Sequence, residues 1–239
     1  MNKNIIYPLT LILGIALSMS NCKKPDEPVF VNETFTANGV SFEMIAVKGG
    51  TFTMGQAGGT TVYGPTAATV SNFKIGKTEV TQGLWFAVMG AWPGTAPSAT
   101  NGVGDNCPAY FVSWDDIVGT STSEAGYTAN GITYYKNGFC YKLTSLLGGD
   151  KKFILPTETQ WEYAARGGSG AGTVYSGTND ESYLGDYAWY ITNSGNTSHP
   201  IATKLPNALG IYDMSGNVGE WGSDYNGVYE GGTNPTGGV

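Results

Sequence analysis

Two acidic residues seven positions apart carry the pattern with the clearest chemistry in this sequence. Asp213 and Glu220 lie in the run Gly210-Ile-Tyr-Asp-Met-Ser-Gly-Asn-Val-Gly-Glu-Trp221. The run is strand-like at Leu209, Ile211 and Tyr212 and breaks at Ser215-Gly216-Asn217. Glycine lets the backbone fold back on itself, which would turn main-chain carbonyls towards the point where the two carboxylates meet. Calcium takes roughly six to eight oxygens from carboxylates, carbonyls and water, whereas magnesium prefers tighter, wetter sites. Taken alone, the pattern better suits a tight turn with two solvated acids.

Other chemistries find little support. No glycine-rich phosphate loop and no Ser/His/Asp set is visible, so phosphoryl transfer and triad hydrolysis are not expected. The single histidine, His199, reads as loop packing or a surface hydrogen bond. Glu158 and Glu162 stand four apart, and Glu162 is four before Arg166. That spacing reads as an exposed helical Glu–Arg pair worth a few tenths of a kcal/mol rather than acid–base machinery. Of the three cysteines, Cys107 and Cys140 could form a disulfide in an exported protein, but sequence alone does not bring them together.

The elements that must position these residues are drawn from an unusual composition. The chain has 239 residues, enough for one domain with a sizeable core, and is 41% hydrophobic. Only 13% of residues are charged, against about 25% in an ordinary soluble domain. Thirty-six glycines, fifteen tyrosines and six tryptophans point to irregular loops packed by aromatics. A net charge of −7 disfavours nucleic acid or an anionic membrane surface as partner.

At the amino terminus, Asn2-Lys3-Asn4 precedes an apolar run from Ile5 to Ala16, too short to span a bilayer, which ends at Ser18-Met-Ser-Asn-Cys22. Residues 1–22 are therefore expected to be a signal peptide. Cys22 resembles the acylated cysteine of the bacterial lipoprotein lipobox, an ordinary signal-peptidase site being the alternative. The expectation is an exported, membrane-anchored lipoprotein of the cell envelope, with an envelope protein or glycan as ligand. Residues 23–40 read as a linker and 41–239 as the domain.

Along that domain, Phe42 to Gly55 alternates well enough for two strands around a Gly49-Gly50 turn, and Val70 to Ile75 is a further strand. Thr81 can cap a helix carrying Leu84, Trp85, Val88 and Met89, stopped by Gly90. Ser113 and Asp116 form a capping-box start. Residues 119–138 read as a hairpin whose second strand is Ile132 to Tyr135. Phe139, Leu143, Leu146 and Leu147 fall at helical spacing before Gly148-Gly149. Thr157 with Gln160 begins a helix whose apolar face is Trp161, Ala164 and Ala165.

Several stretches resemble one known family in order. These are Phe42 to Gly55, Lys77-Thr-Glu-Val-Thr-Gln82, Tyr110-Phe-Val-Ser-Trp-Asp-Asp116, and Phe153 to Gly168 with its Leu-Pro-Thr-Glu and Trp-Glu-Tyr-Ala-Ala-Arg-Gly-Gly. Tyr187-Ala-Trp-Tyr190, Pro206-Asn-Ala-Leu-Gly210 and the opening run complete the series. Together they resemble the formylglycine-generating enzyme, or sulfatase-modifying factor, family. The resemblance implies an α+β, compact, loop-rich fold related to C-type lectins, with low regular secondary structure. It also implies calcium held by the side chains of Asp213 and Glu220 and the carbonyls of Gly216 and Val218. A second calcium site would lie near Trp189 to Asn196. Gly219 stands where the family has tryptophan.

The family's activity oxidises a sulfatase cysteine to formylglycine with copper held by two cysteines in a carboxy-terminal segment, within and after an R-G-G-S-W-like element. This sequence ends at Thr236-Gly-Gly-Val239, before such an element, so the domain is expected to be C-terminally incomplete and copper to belong only to a form carrying that pair. Iron-dependent relatives need a histidine cluster that is not seen. Two readings follow: a calcium-stabilised, non-catalytic binding or structural lipoprotein, or a formylglycine-generating oxidase whose cysteine segment lies outside this chain.

Overall fold

Short elements joined by long, specifically bonded loops make up this protein, which a computed structural model describes over residues 30–55, 65–168, 172–225, 229 and 231–236. The chain divides into Met1–Phe30 and Val31–Val239, and the fold is that of the second unit. The expected signal peptide and Cys22 lie outside the described residues.

Strand β1 (Glu33–Ala37) pairs antiparallel with β2 (Val40–Val47), which pairs on its other edge with β5 (Phe73–Gly76). Strand β3 (Gly50–Met54) pairs instead with β4 (Thr66–Val70), and β8 (Gly232–Thr233) adds to β4 in parallel. Two expectations change here. The linker predicted through residue 40 gives way to β1, whose Ala37 is fully buried. The two strands around Gly49-Gly50 form, but in different sheets rather than as a hairpin. A Cβ on Gly49 would stand 2.2 Å from the Val70 carbonyl oxygen, so this glycine permits a close backbone approach. The strand predicted from Val70 to Ile75 is broken between β4 and β5 at Ser71-Asn72, where Asn72 Oδ1 accepts from the Gly49 amide at 2.9 Å.

The helices follow their local signals. In α1 (Gln82–Met89) the Thr81 hydroxyl accepts from the Leu84 amide, and Gly90 closes the helix at φ 76°. In α2 (Trp114–Val118) Ser113 and Asp116 form the predicted capping box. A hairpin of β6 (Ala125–Ala129) and β7 (Ile132–Tyr135) follows, then α3 (Phe139–Leu147). Thr157 and Gln160 box the start of α4 (Glu158–Ala165), and a short α5 (Leu184–Tyr187) comes later.

Two large apolar clusters, beside a smaller third of Met54, Ala68 and Tyr229, hold these elements. One joins α1, α2, α3 and β7, with the rings of Trp85 and Phe139 stacked at 5.0 Å and 2°. The other packs α4 on β2, β4 and β5 and on Ile211 and Met214. Its centre is Tyr163, fully buried, edge-on to Phe52 at 5.2 Å and donating to the Lys48 carbonyl at 3.1 Å. The face expected from Trp161, Ala164 and Ala165 thus turns further, onto Tyr163. Burying a ring of that size contributes about 1.5–3 kcal/mol.

Candidate functional site

The run from Leu209 to Trp221 is not a sheet strand; it is a loop pinned at separate points. The Tyr212 amide donates to the Lys77 carbonyl at 3.0 Å and the Asn207 amide to the Ile211 carbonyl at 2.9 Å. Beyond Tyr212 the chain enters the left-handed region at Asp213, φ 62°, a conformation that aspartate and asparagine tolerate better than other side chains. The Gly216 amide then donates back to the Asp213 carbonyl at 3.2 Å, closing the turn. A Cβ on Gly216 would lie 2.1 Å from the Trp189 carbonyl oxygen, so only glycine fits.

Asn217, also left-handed at φ 64°, locks the turn to two distant segments. Its amide donates to the Trp189 carbonyl at 2.8 Å. Its side-chain oxygen accepts from the His199 amide at 2.8 Å, and its NH₂ donates to the His199 carbonyl at 3.1 Å and to Glu79 Oε2 at 3.2 Å.

Three carboxyl groups surround this turn. Asp213 is buried; its Oδ2 accepts from the Ala202 amide at 2.8 Å, while Oδ1 is buried without a hydrogen-bond partner. Burial pushes the Asp213 carboxyl up, against that amide. Glu79, absent from the sequence-based site, is buried beneath the turn, and its Oε1 has no hydrogen-bond partner by geometry. Burial, then the charges of Asp213 and Glu220, push its carboxyl to about 9, with Asn217 and the Val218 amide opposing. Glu220 is pushed to about 7 by burial and by Asp213. The residue is exposed along a cleft, where water screens part of that burial.

The donor types fit a hard cation: carboxylates carrying raised proton affinities, one with a buried orphan oxygen, beside turn carbonyls. Among the described residues no hydrogen bond is donated to the carbonyls of Gly216 or Val218. No group of three Asp, Glu, His or Cys side chains that could hold a metal occurs among the described residues, so any cation here leans on those carbonyls.

The segment expected to border a second cation, Trp189 to Asn196, is a turn in which Asn193 Oδ1 accepts from the Tyr190 amide at 2.8 Å. Trp189 lies between His199, stacked at 3.7 Å, and the Lys204 ammonium, 4.0 Å from its ring centre. His199 is therefore a packing residue, with Nε2 at 2.9 Å from the Ser194 carbonyl.

Beside the turn opens a cleft of about 730 Å³, walled by Trp114, Trp161 and Trp221 and floored by Met214 to Gly216. A smaller cavity of about 220 Å³ lies on the other side, reaching Glu79, Trp85 and Cys140. Gly219 lines both, and a Cβ there would meet nothing within 4 Å. The missing tryptophan is thus real space.

Glu162 and Arg166 differ from the exposed pair expected. They meet at 2.6 Å with both side chains largely covered, Glu162 Oε1 accepts from the Gly55 amide at 2.8 Å, and Arg166 donates to the Gly55 carbonyl at 2.8 Å. The pair clamps the end of β3 to α4. Cys107 and Cys140 are free, buried thiols. Burial raises both, Cys140 to about 12.

Residues 32–237 match the sulfatase-modifying factor enzyme 1-like domain. The chaperone protein LppX of Paenibacillus barcinonensis is 31% identical over 210 residues, 76% of this chain and 71% of its own. The formylglycine-generating enzyme of Streptomyces coelicolor is 37% identical over 82 residues, 30% of this chain and 26% of the enzyme. Among solved structures, Treponema denticola variable protein 1 is 31% identical with a TM-score of 0.65, covering 85% of this chain and 80% of that one.

Proposed function

The chain belongs to the sulfatase-modifying factor enzyme 1-like family, and from that membership we propose that it is a non-catalytic, calcium-stabilised binding module of the bacterial cell envelope. The observation that carries this reading is the state of the two cysteines within the domain. Copper(I) oxidation needs a pair of thiolates. Cys107 and Cys140 are buried thiols whose burial disfavours ionisation, and neither lines the large cleft. Similarity to a protein named as a chaperone supports a role in holding another polypeptide.

Calcium would be held by Asp213 and Glu220 with the carbonyls of Gly216 and Val218. It would supply charge that relieves carboxylates crowded in a buried turn, and a crosslink across loops that no long helix braces. Export and a lipid on Cys22 complete the proposal: the cationic start, short apolar run and cysteine of residues 1–22 support it. No helix of the described residues is long and apolar enough to cross a membrane.

The second reading, a formylglycine-generating oxidase whose cysteine pair lies outside this chain, is favoured by the likeness to the Streptomyces coelicolor enzyme. The complete reading frame separates them: a cysteine pair near an R-G-G-S-W-like element favours the oxidase, and its absence favours the module. A peptide with a C-x-P-x-R motif, incubated with the copper-loaded protein, should keep its thiol by mass spectrometry; aldehyde would overturn the module. Radiolabelled palmitate uptake lost in Cys22→Ala tests the anchor.

A further inference from the structure

A net charge of −7 disfavours an anionic surface only where it is evenly spread, and here it is not. Residues 30–78 and 136–152 hold seven lysines against three acids, a balance of +4. Residues 79–135 and 153–239 hold fourteen acids against Arg166 and Lys204, a balance of −12. The fold gathers four of those lysines at one end.

That end is where β1 begins. The Glu33 carboxylate bridges Lys74 of β5 and Lys151, which follows α3. Lys74 pairs with Ala46 of β2, whose amide donates to Asn32 Oδ1 at 2.9 Å. Lys48, exposed, comes two residues after Ala46 at the same end of the sheet. Helix α3 runs against β1. Its first residue, Phe139, stacks on Trp85 of α1, and the Ala87 carbonyl of α1 accepts from the Asn38 side chain at 2.7 Å, just past the far end of β1. The last turn of α3 therefore lies towards Glu33, and with it Leu146 and the exposed pair Lys151-Lys152. Lys151 stands 5.1 Å from the Phe35 ring centre and Lys152 5.2 Å from that of Tyr127. Val31 and Leu146, 50% and 44% exposed, add apolar surface. The acids of this end are Glu33, already shared by two lysines, and Asp150. Lys48 and Lys152 form no ion pair among the described residues.

We infer that this end of the fold is a membrane-contact surface that seats on the anionic phospholipid headgroups of the bilayer holding the Cys22 lipid. The residues 23–30 separate Cys22 from Val31, and even fully extended they reach no further than about 30 Å. The tether thus keeps the entry to β1 near the bilayer, and that entry is the basic end. A lysine close to an anionic leaflet strengthens binding about fivefold, while the acidic remainder is turned away. A single acyl chain anchors only marginally, and a basic patch is one of the second signals that make the attachment stable. Val31 and Leu146 supply apolar side chains for the headgroup boundary. The inference rests on the lipid anchor proposed at Cys22 and names the surface that anchor brings to the membrane.

The test sediments the full chain carrying Cys22→Ala, and so no lipid, with vesicles of phosphatidylcholine alone or mixed with phosphatidylglycerol. The mixed vesicles should bind more tightly at physiological ionic strength, and added salt should erase the difference. Adding Lys48→Gln and Lys152→Gln, which strands no ion-pair partner, should weaken binding to the mixed vesicles about twenty-five-fold and leave the phosphatidylcholine value alone. Lys136→Gln with Lys204→Gln removes the same charge elsewhere, Lys136 from an exposed pair with Glu124, and should change affinity less than about twofold. Thermal melts check that every variant is folded. On the lipid-bearing chain held on mixed vesicles, acetylation read by mass spectrometry should spare Lys48 and Lys152 and modify Lys136. Equal affinity for the two vesicles, equal losses from the two lysine pairs, or acetylation of Lys48 and Lys152 as fast on mixed vesicles as on phosphatidylcholine would overturn the inference. Palmitate uptake that survives Cys22→Ala would overturn the anchor instead, and the vesicle preference of the unlipidated chain is judged apart from it.

Discussion

Asn207 is the residue on which the candidate site most depends without belonging to it. It is 7% exposed, and its side chain bonds in both directions. Its oxygen accepts from the amides of Leu209 at 2.9 Å and Ile211 at 3.3 Å. Its NH₂ donates to the Ala164 carbonyl at 2.8 Å and to Ser176 Oγ at 3.1 Å. One amide therefore ties the end of α4 to the loop that enters the Asp213 turn. Replacing it by alanine does not strand the Ala164 carbonyl, which still accepts from the Gly167 amide at 3.0 Å. The uncompensated groups are the two loop amides. An unsatisfied buried donor costs about 1–3 kcal/mol, and the Leu209 amide is only partly buried, so the sum is about 2–4 kcal/mol. At this chain length each kcal/mol moves the melting point by about 2–4 °C, so Asn207→Ala should melt roughly 4–16 °C lower.

The comparison that isolates the mechanism is Asn207→Asp. It keeps the acceptor and the shape but turns the donor edge into an anion facing the Ala164 carbonyl. At neutral pH it should be less stable than Asn207→Ala. Burial raises such a carboxyl above its unfolded value, so the neutral form stabilises the fold below that value and the stabilisation is lost as pH rises through the folded pKa. Asn207→Asp should therefore recover part of its deficit below about pH 4. Urea midpoints at constant slope give the free energies. A loss under about 1 kcal/mol for Asn207→Ala, or an aspartate variant as stable as the parent at neutral pH, would refute the reasoning.

Other consequences can be checked directly. If calcium binds only the folded chain, saturation at a hundred times its dissociation constant adds about 2.7 kcal/mol, so chelation should lower the melting point by roughly 5–11 °C and magnesium should restore it poorly. Glu220→Gln should lose most of that shift and Glu124→Gln none; identical responses would leave only a turn with acids. Iodoacetamide at neutral pH should leave Cys107 and Cys140 unmodified in the native chain and alkylate both in urea, because burial raises both thiols; native labelling of Cys140 would contradict its buried placement. Glu33 is held between Lys74 at 2.7 Å and Lys151 at 2.6 Å, which lowers its carboxyl below 4.5. Its contribution is present above the unfolded value and lost as pH falls through the folded one, so Glu33→Gln should flatten the acid limb of stability, and added salt should mute the difference.

What the sequence disclosed and what it hid divide along the range of the interactions. The caps at Thr81, Ser113 and Thr157 are legible because both partners lie within three residues. The β6–β7 hairpin is legible for the same reason. Gly49-Gly50 misleads because a glycine pair between alternating runs has the same local signature whether it makes a turn or admits a neighbouring backbone. Only the Val70 carbonyl, far along the chain, shows which. The site follows the same rule. Asp213 and Glu220 draw the eye by their spacing and Gly216 enters through the family resemblance, whereas Glu79 reaches them from 138 residues before Asn217 inside an ordinary Lys-Thr-Glu-Val-Thr stretch. Glu158 reads as half of a helical carboxylate pair, and its partner in the structure, Tyr229, is 71 residues away.

The fold solves a problem that its composition creates. With few charges and many glycines it has little capacity for long solvated helices, and every loop residue must be ordered at an entropic cost of about 1–2 kcal/mol. Carboxamides meet much of that demand. Asn38, Asn130, Asn196, Asn217 and Asn234 occupy left-handed positions that most side chains avoid. Asn72, Asn193, Asn207 and Asn217 use their side chains as backbone surrogates, accepting from amides that no strand or helix satisfies. An asparagine in such a place sets a dihedral and closes a hydrogen bond at once, which a helix does only collectively. This local economy lets the Asp213 turn hold its shape between two segments that share no sheet with it. It also lets carboxylates crowd there at raised proton affinity without a regular element behind them. The neighbouring cleft follows from the same arrangement. Its walls are stitched by Ser223, Asp224 and Trp221 to fixed backbone atoms, so the space left by Gly219 persists instead of collapsing.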